Sequence, residues 1–117
     1  MTLKLLLGIV IIFALALAVR AAGLGAIDQV VFDEVHFGKF ISSYCCTHQR
    51  FFDIHPPIGK LLIAGGAYLV GYNGEFSFDH IDQTYSNVPI ASIRMVPALF
   101  GALLPVIIML LLRQAGV

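Results

Sequence analysis

The chain has very little charge, and this scarcity sets its class. Charged residues make up 12% of the 117 positions and hydrophobic residues 59%. Soluble domains average about 25% charged and about 45–50% apolar residues. The composition therefore indicates a membrane protein rather than a soluble domain with a large core, and the length allows one small domain at most.

Several functional patterns are missing as well. The formal net charge is zero, and there is no basic patch, aromatic-interleaved stripe or RNA-binding motif, so we expect no nucleic-acid partner. No Gly-rich phosphate loop of either common type occurs.

The only cysteines are Cys45 and Cys46. Because neighbouring cysteines bridge each other only with strain, we expect two thiols without a catalytic role, each able to find another partner in an oxidising compartment.

Residue types that bind metals are present, but their spacing is uninformative. They are His36, Cys45, Cys46, His48 and His55. The spacing matches no known zinc motif, and no C-x-x-C pair occurs. We therefore expect no metal site.

A first apolar segment, residues 3–22, is predicted as a transmembrane helix. Its apolar run from residue 3 to residue 19 reaches roughly 26 Å, slightly short of a hydrocarbon core of about 30 Å. A cleaved signal peptide is the alternative, with Lys4 as its basic start and residues 16–18 as a cleavage site. A retained anchor is favoured because the run is long for a signal peptide and continues past residue 20.

A second transmembrane helix is predicted at residues 93–112, between Arg94 and Arg113. It contains Pro97 and Pro105. Membrane helices tolerate proline when neighbouring helices satisfy the freed carbonyl groups. The prolines therefore indicate partner helices outside this chain.

Residues 23–92 are predicted as a long extracytoplasmic loop with short interfacial helices, one at about 57–72. That helix is too short to span a bilayer comfortably and contains Lys60. The acidic stretch at 75–82 has no lysine or arginine, which disfavours a cytoplasmic address. The predicted fold class is therefore an all-α membrane protein with two transmembrane helices flanking this loop and both termini cytoplasmic.

Two adjacent carboxylates, Asp33 and Glu34, follow the first apolar segment. Ionised side chains near a bilayer are costly and are usually kept for chemistry, ion handling or pairing. A carboxylate pair suits a site that takes a proton from an acceptor while holding it in place. The alternative is a solvated helix start, because Asp and Glu also favour the first turn of a helix.

Four clusters in the loop carry further chemistry: residues 32–38, 44–48, 51–60 and 88–94. Each has a structural explanation. The phenylalanines suit a membrane interface, and the residue before a proline is pushed out of helical geometry. Arg94 suits the end of a membrane helix, where its stem reaches the interface.

Most of the chain resembles the N-terminal part of the protein O-mannosyltransferase family, the dolichyl-phosphate-mannose–protein mannosyltransferases. Family members carry F-D-E-x-H-F-G, then F-F-D-x-H-P-P-x-x-K, G-Y-x-G-x-F-x-F and V-P-x-x-x-x-R. This sequence has the same motifs in the same order at residues 32–38, 51–60, 71–78 and 88–94. One such motif is a weak signal, whereas four in order are a strong one.

The resemblance implies a GT-C type membrane glycosyltransferase. Such an enzyme moves mannose from a polyprenyl (dolichyl) phosphate mannose to Ser or Thr hydroxyls of an acceptor protein, outside the cytosol. By the same resemblance, Asp33 accepts the hydroxyl proton and Glu34 positions the acceptor peptide. Arg94 faces the donor phosphate, and His55 and Lys60 are weaker candidates for the phosphate region. No cofactor is firmly implied, and a divalent cation is left open.

Family members run several times longer, so we expect a fragment that is inactive alone and lacks the C-terminal membrane helices of the donor site. The alternatives are a GT-C transferase moving another sugar onto a lipid acceptor, and a non-catalytic two-span membrane binding protein. The short segment before the first span favours a multi-pass protein of a bacterial plasma membrane; a eukaryotic protein would lie in the endoplasmic reticulum membrane.

Overall fold

The computed structural model describes residues 2–116 and consists of helices joined by loops. The α-helices are α1 (Leu3–Ala21), α2 (Glu34–Ser42), α3 (Ile58–Leu69) and α4 (Ile90–Gln114). The described residues form no strand, only an isolated antiparallel bridge between Gln29 and Thr84. The all-α prediction is therefore confirmed.

Two of the helices, α1 and α4, are long and apolar enough to cross a membrane. α1 has 19 residues and a mean hydropathy of 2.5, and α4 has 25 residues and a mean hydropathy of 2.6. Pro97 and Pro105 lie inside α4 without ending it. α4 begins at Ile90 rather than at residue 93, directly after Pro89, whose carbonyl accepts the Ile93 N–H at 3.1 Å.

The chain divides into two compact units. One unit is Gly25–Val96, which holds α2, α3 and the start of α4. The other combines α1 with the remainder of α4. The predicted catalytic and binding residues all fall in Gly25–Val96.

The core of Gly25–Val96 is formed by side chains from α2, α3, α4 and the loops between them. Its buried members are Val30, Ile41, Ala64, Ala67, Tyr72, Phe78, Tyr85, Ile90 and Ile93. α3 contributes one stripe, because its buried residues, Lys60, Ala64 and Ala67, recur at helical spacing. α3 lies within the segment expected as an interfacial helix at about 57–72, and its place at a membrane interface stays a prediction. It ends before Gly71, whose φ of 77° needs the conformational freedom of glycine.

α2 begins at the two adjacent carboxylates, with Asp33 at the N-cap position and Glu34 as the first helical residue. A π-helical turn, Ser43–Thr47, follows it. Within this turn Cys45 and Cys46 form a disulfide, so the expectation of two thiols is wrong. That expectation relied on the usual Cα separation of bridged cysteines, which is about 4.4–6.8 Å. These two bridged residues are adjacent in the chain, and their Cα atoms are only 3.7 Å apart.

Gly38 allows α2 to lie directly against the ring of Phe78. A Cβ atom added at Gly38 would overlap three atoms of that ring. Because overpacking a core typically costs about 1–3 kcal/mol, we expect Gly38→Ala to lower the free energy of unfolding by this amount. Gly65→Ala is the matched control, since nothing lies within 4 Å of a Cβ there and alanine favours a helix over glycine by about 1 kcal/mol.

The measurement is denaturant unfolding of the detergent-solubilised protein, monitored by helical circular dichroism. The predicted order of stability is Gly65→Ala at or above wild type, and Gly38→Ala below it. Equal stability of the two variants would contradict the close packing of α2 on Phe78.

Candidate active site

The start of α2, the loop before α3 and the first turn of α3 enclose a cavity of about 520 Å³. It is lined by Asp33, His36, Phe37, Phe40, Phe52, Asp53, Ile54, His55 and Lys60. Three residues predicted for the site, Asp33, His55 and Lys60, therefore lie around one cavity, although they are distant in the sequence.

Asp33 presents a free carboxylate to this cavity. Its side chain is exposed and forms no capping hydrogen bond with the helix that it precedes. Among the described residues, no hydrogen-bond donor contacts its oxygens. A carboxylate in this state can accept a proton from a hydroxyl group brought into the cavity.

Lys60 is almost completely buried in the cavity wall, with 3% of its surface exposed. Its ammonium group forms an ion pair with Asp53. The same nitrogen lies 4.2 Å from the ring centroid of Phe40 and 5.5 Å from that of Phe37. Buried charges persist when they are paired, so the positive charge of Lys60 is matched within the wall.

Asp53 is held by a local turn as well as by Lys60. Its Oδ1 accepts the backbone N–H of His55 at 3.0 Å, a common way for aspartate to fix a turn. Lys60 and this N–H keep the pKa of the Asp53 carboxyl below its usual value. The His55 ring stays largely exposed at the cavity, with Nδ1 3.5 Å from Asp53.

Glu34 and Arg94 form a second cluster, outside the lining of the cavity. Arg94 donates through Nε to one oxygen of Glu34 at 2.6 Å and through a terminal nitrogen to the other at 2.9 Å. Two-pronged contacts of this kind are the strong form of an ion pair. Arg94 also donates to the carbonyls of Ile27 at 2.8 Å and Gln29 at 3.2 Å.

The Glu34 carboxylate receives two further hydrogen bonds. The Val31 N–H donates to it at 2.9 Å and the Tyr85 hydroxyl at 2.7 Å. Burial raises the pKa of Glu34, but the hydrogen bonds from Arg94, Val31 and Tyr85 outweigh burial and bring it below its usual value. Glu34 is therefore a stable, ionised anchor.

The structure gives the two adjacent carboxylates different surroundings. The Asp33 side chain is exposed at the cavity. The Glu34 carboxylate instead accepts hydrogen bonds from Arg94, Val31 and Tyr85. The roles implied for Asp33 as the base, for Glu34 at the acceptor peptide and for Arg94 at the donor phosphate stay predictions, as do those of His55 and Lys60.

Sequence reasoning missed two residues that hold these groups, Asp53 and Tyr85. Asp53 stands in the same motif as Lys60, seven positions earlier, so its pairing with Lys60 had a signal in the sequence. No signal in the sequence indicated the role of Tyr85, because its partner Glu34 lies 51 positions away along the chain.

Within residues 2–116 no group of three or more His, Cys, Asp or Glu side chains is arranged to hold a metal ion. The expectation of no metal site therefore stays a prediction, and the involvement of a divalent cation is untested.

The fold and the site define a helical membrane protein with an acidic, aromatic-lined cavity in the segment between two apolar helices. The family model for dolichyl-phosphate-mannose-protein mannosyltransferase matches residues 10–117. The chain belongs to this family, as its motifs indicated.

Individual relatives agree with this assignment. Dolichyl-phosphate-mannose–protein mannosyltransferase 4 of Schizosaccharomyces pombe is 44% identical over 97% of this chain and 15% of its own length. Protein O-mannosyltransferase 1 of Drosophila melanogaster is 46% identical over 89% of this chain and 12% of its own length. Dolichyl-phosphate-mannose–protein mannosyltransferase 1 of Saccharomyces cerevisiae is 41% identical over 97% of this chain and 14% of its own length. The chain thus spans about one seventh of the length of such relatives.

Proposed function

We propose that this chain supplies the acceptor-activating part of a transferase that moves mannose from a polyprenyl (dolichyl) phosphate mannose to Ser or Thr hydroxyls of proteins. The observation that carries the proposal is the free carboxylate of Asp33 at the aromatic-lined cavity. Family membership supports the donor and the acceptor, because the relatives are named for dolichyl-phosphate-mannose and for protein mannosylation.

In the proposed step, the acceptor oxygen attacks C1 of mannose while the hydroxyl proton passes to Asp33. A bond forms between this oxygen and C1, the bond from C1 to the phosphate oxygen breaks, and polyprenyl phosphate leaves with the bonding electrons. General-base assistance of this kind typically contributes about 10²–10⁴-fold in rate. Phe37, Phe40 and Phe52 supply apolar surface to the lining of the cavity.

The donor side of the proposed site is only partly built from this chain. A leaving phosphate needs fixed positive charge, yet Lys60 and Arg94 are paired with Asp53 and Glu34. The exposed imidazoles in the cavity lining are those of His36 and His55. We propose that membrane helices beyond residue 117 supply the other donor contacts, and chelation during the transfer assay would decide whether a divalent cation takes part.

The test of the function is transfer of labelled mannose from polyprenyl-phosphate mannose to a Ser/Thr-containing peptide by the full-length protein. The expected result is a peptide modified at its hydroxyl groups. Transfer from a different polyprenyl-linked sugar, or only to a lipid acceptor, would replace the mannosyltransferase proposal. Peptide binding without transfer from any donor would indicate a non-catalytic membrane protein.

Both apolar helices mark a membrane protein, and we propose that Gly25–Val96 faces the non-cytoplasmic side. The relatives named above come from fungi and a fly, so they lend no support to a bacterial membrane. The choice of membrane stays a prediction, as does the side on which this unit lies.

The topology prediction is testable by labelling single cysteines in the full-length protein, with Cys45 and Cys46 replaced by serine. A probe that does not cross membranes is expected to label Asn73→Cys from the non-cytoplasmic side, because Asn73 is exposed within Gly25–Val96. Lys4→Cys is the matched control and is expected to react only after permeabilisation. The reverse pattern would place the cavity in the cytoplasm.

A further inference from the structure

Tyr85 connects the aromatic core of Gly25–Val96 to the start of α2. Only 8% of its surface is exposed, and its ring packs against Phe76 and Phe78 at centroid distances of 5.2 and 6.0 Å. Its hydroxyl leaves this core and donates to Glu34 at 2.7 Å. Tyr85 is not among the residues that line the cavity.

The turn that contains Asp33 is closed on both sides by Glu34. The Glu34 N–H donates to the Val31 carbonyl at 2.8 Å, and the Val31 N–H donates back to the Glu34 carboxylate at 2.9 Å. Asp33 lies inside this four-residue turn, directly before Glu34. The position of the Glu34 side chain therefore determines how firmly the turn, and with it Asp33, is held.

We propose that Tyr85 is a positioning residue for the transfer reaction, whose hydroxyl fixes Glu34 and thereby the direction in which Asp33 presents its carboxylate to the cavity. The inference rests on the proposed function. A base must meet the acceptor hydroxyl in a narrow range of distances and angles, and a misplacement of about 1 Å can cost about 10²-fold in rate. Tyr85 anchors Glu34 to rigid aromatic neighbours, while Arg94 anchors it to α4.

The test is Tyr85→Phe in the full-length protein, which removes the hydroxyl and keeps the packed ring. We expect kcat to fall about 10- to 100-fold, with KM for donor and acceptor unchanged within about twofold, because only the alignment of the base is lost. Tyr72→Phe is the matched control. Tyr72 is equally buried, and its hydroxyl also bonds to α2, 2.9 Å from Ser42 at the far end of that helix.

The two variants separate positioning from general stability. A loss of kcat in Tyr85→Phe but not in Tyr72→Phe supports the inference. Equal losses in both, or no loss in either, would overturn it. In a Glu34→Ala background, which removes the acceptor of the Tyr85 hydroxyl, Tyr85→Phe is expected to cause little further loss of kcat, because the two residues act through one contact. Additive losses would also count against the inference.

A second measurement does not depend on transfer activity. Arg94 and Tyr85 are the charged or titratable groups that bond to the Glu34 carboxylate, which favours its ionised form and depresses its pKa. The stability that ionised Glu34 contributes is therefore present above the pKa that Glu34 has in the unfolded chain. It is lost as the pH falls through the lower pKa that Glu34 has in the folded protein. Without the Tyr85 hydroxyl the folded pKa rises, so acid unfolding is expected to begin at a higher pH in Tyr85→Phe than in Tyr72→Phe.

The acid-unfolding result also separates the two proposals. If the wild-type protein transfers no sugar but Tyr85→Phe shifts acid unfolding, the contact stands and the proposed function fails. If the wild-type protein transfers mannose and Tyr85→Phe changes neither kcat nor acid unfolding, the role of Tyr85 fails while the function stands.

Discussion

Replacing Asp33 by asparagine in the full-length protein is expected to lower mannose transfer by about 10²–10⁴-fold, the usual contribution of a general base. Asparagine keeps the shape of the side chain but cannot take the hydroxyl proton. The amount of folded protein is expected to stay near wild type, because the Asp33 carboxylate is exposed and makes no capping hydrogen bond. The measurement is the single-turnover rate with saturating donor and peptide.

Asp79→Asn is the matched control for this change. Asp79 is another exposed carboxylate of Gly25–Val96 and does not line the cavity, so its loss is expected to leave transfer within about twofold of wild type. Near-wild-type turnover of Asp33→Asn would remove Asp33 from the mechanism. The same loss in both variants would indicate a general electrostatic effect rather than a base.

Replacing Arg94 by lysine is expected to lower transfer about 10- to 150-fold, the equivalent of about 1.5–3 kcal/mol for charged hydrogen bonds. An ammonium group cannot reproduce the planar fork that joins Arg94 to both oxygens of Glu34 and also reaches the Ile27 and Gln29 carbonyls. Arg94→Ala is expected to lose more, because it leaves the partly buried Glu34 without its cation.

The dependence of rate on donor concentration assigns the cause of this loss. Weaker donor binding in Arg94→Lys would support the phosphate contact implied by the family resemblance. Unchanged donor dependence with a lower unfolding temperature would make Arg94 the partner of Glu34 alone. Arg50→Lys is the control, since Arg50 is exposed and outside both clusters. If Arg94→Lys and Arg50→Lys had the same donor dependence and the same unfolding temperature, Arg94 would be an ordinary arginine at a helix end.

The long helices were predictable because their signal is local. A bilayer-length apolar run specifies a helix by composition alone. α1 ends one residue before its predicted end, and α4 begins three residues earlier and ends two residues later than predicted. α3 was also predictable, since Pro57 opens it and Gly71 follows its end. α2 was not placed as an element, although its carboxylate start was recognised as one reading of Asp33 and Glu34.

The disulfide shows where local reasoning gave the wrong answer. Adjacent cysteines rarely bridge in ordinary geometry, so the sequence favoured two thiols. The π-helical turn that holds Cys45 and Cys46 is packed against α2 and α3, and such a turn follows from packing rather than from the spacing of the residues.

The sequence by itself determined the membrane class, the family and the identity of Asp33 as the candidate base, because apolar runs and motifs are properties of neighbouring residues. Only the tertiary structure decided which partners the other polar groups have. It paired Lys60 with Asp53 and joined Glu34 to Tyr85 and Arg94. Buried or half-buried charges must find partners, and those partners are chosen by the packing of helices and loops, which brings together residues that lie far apart in the chain.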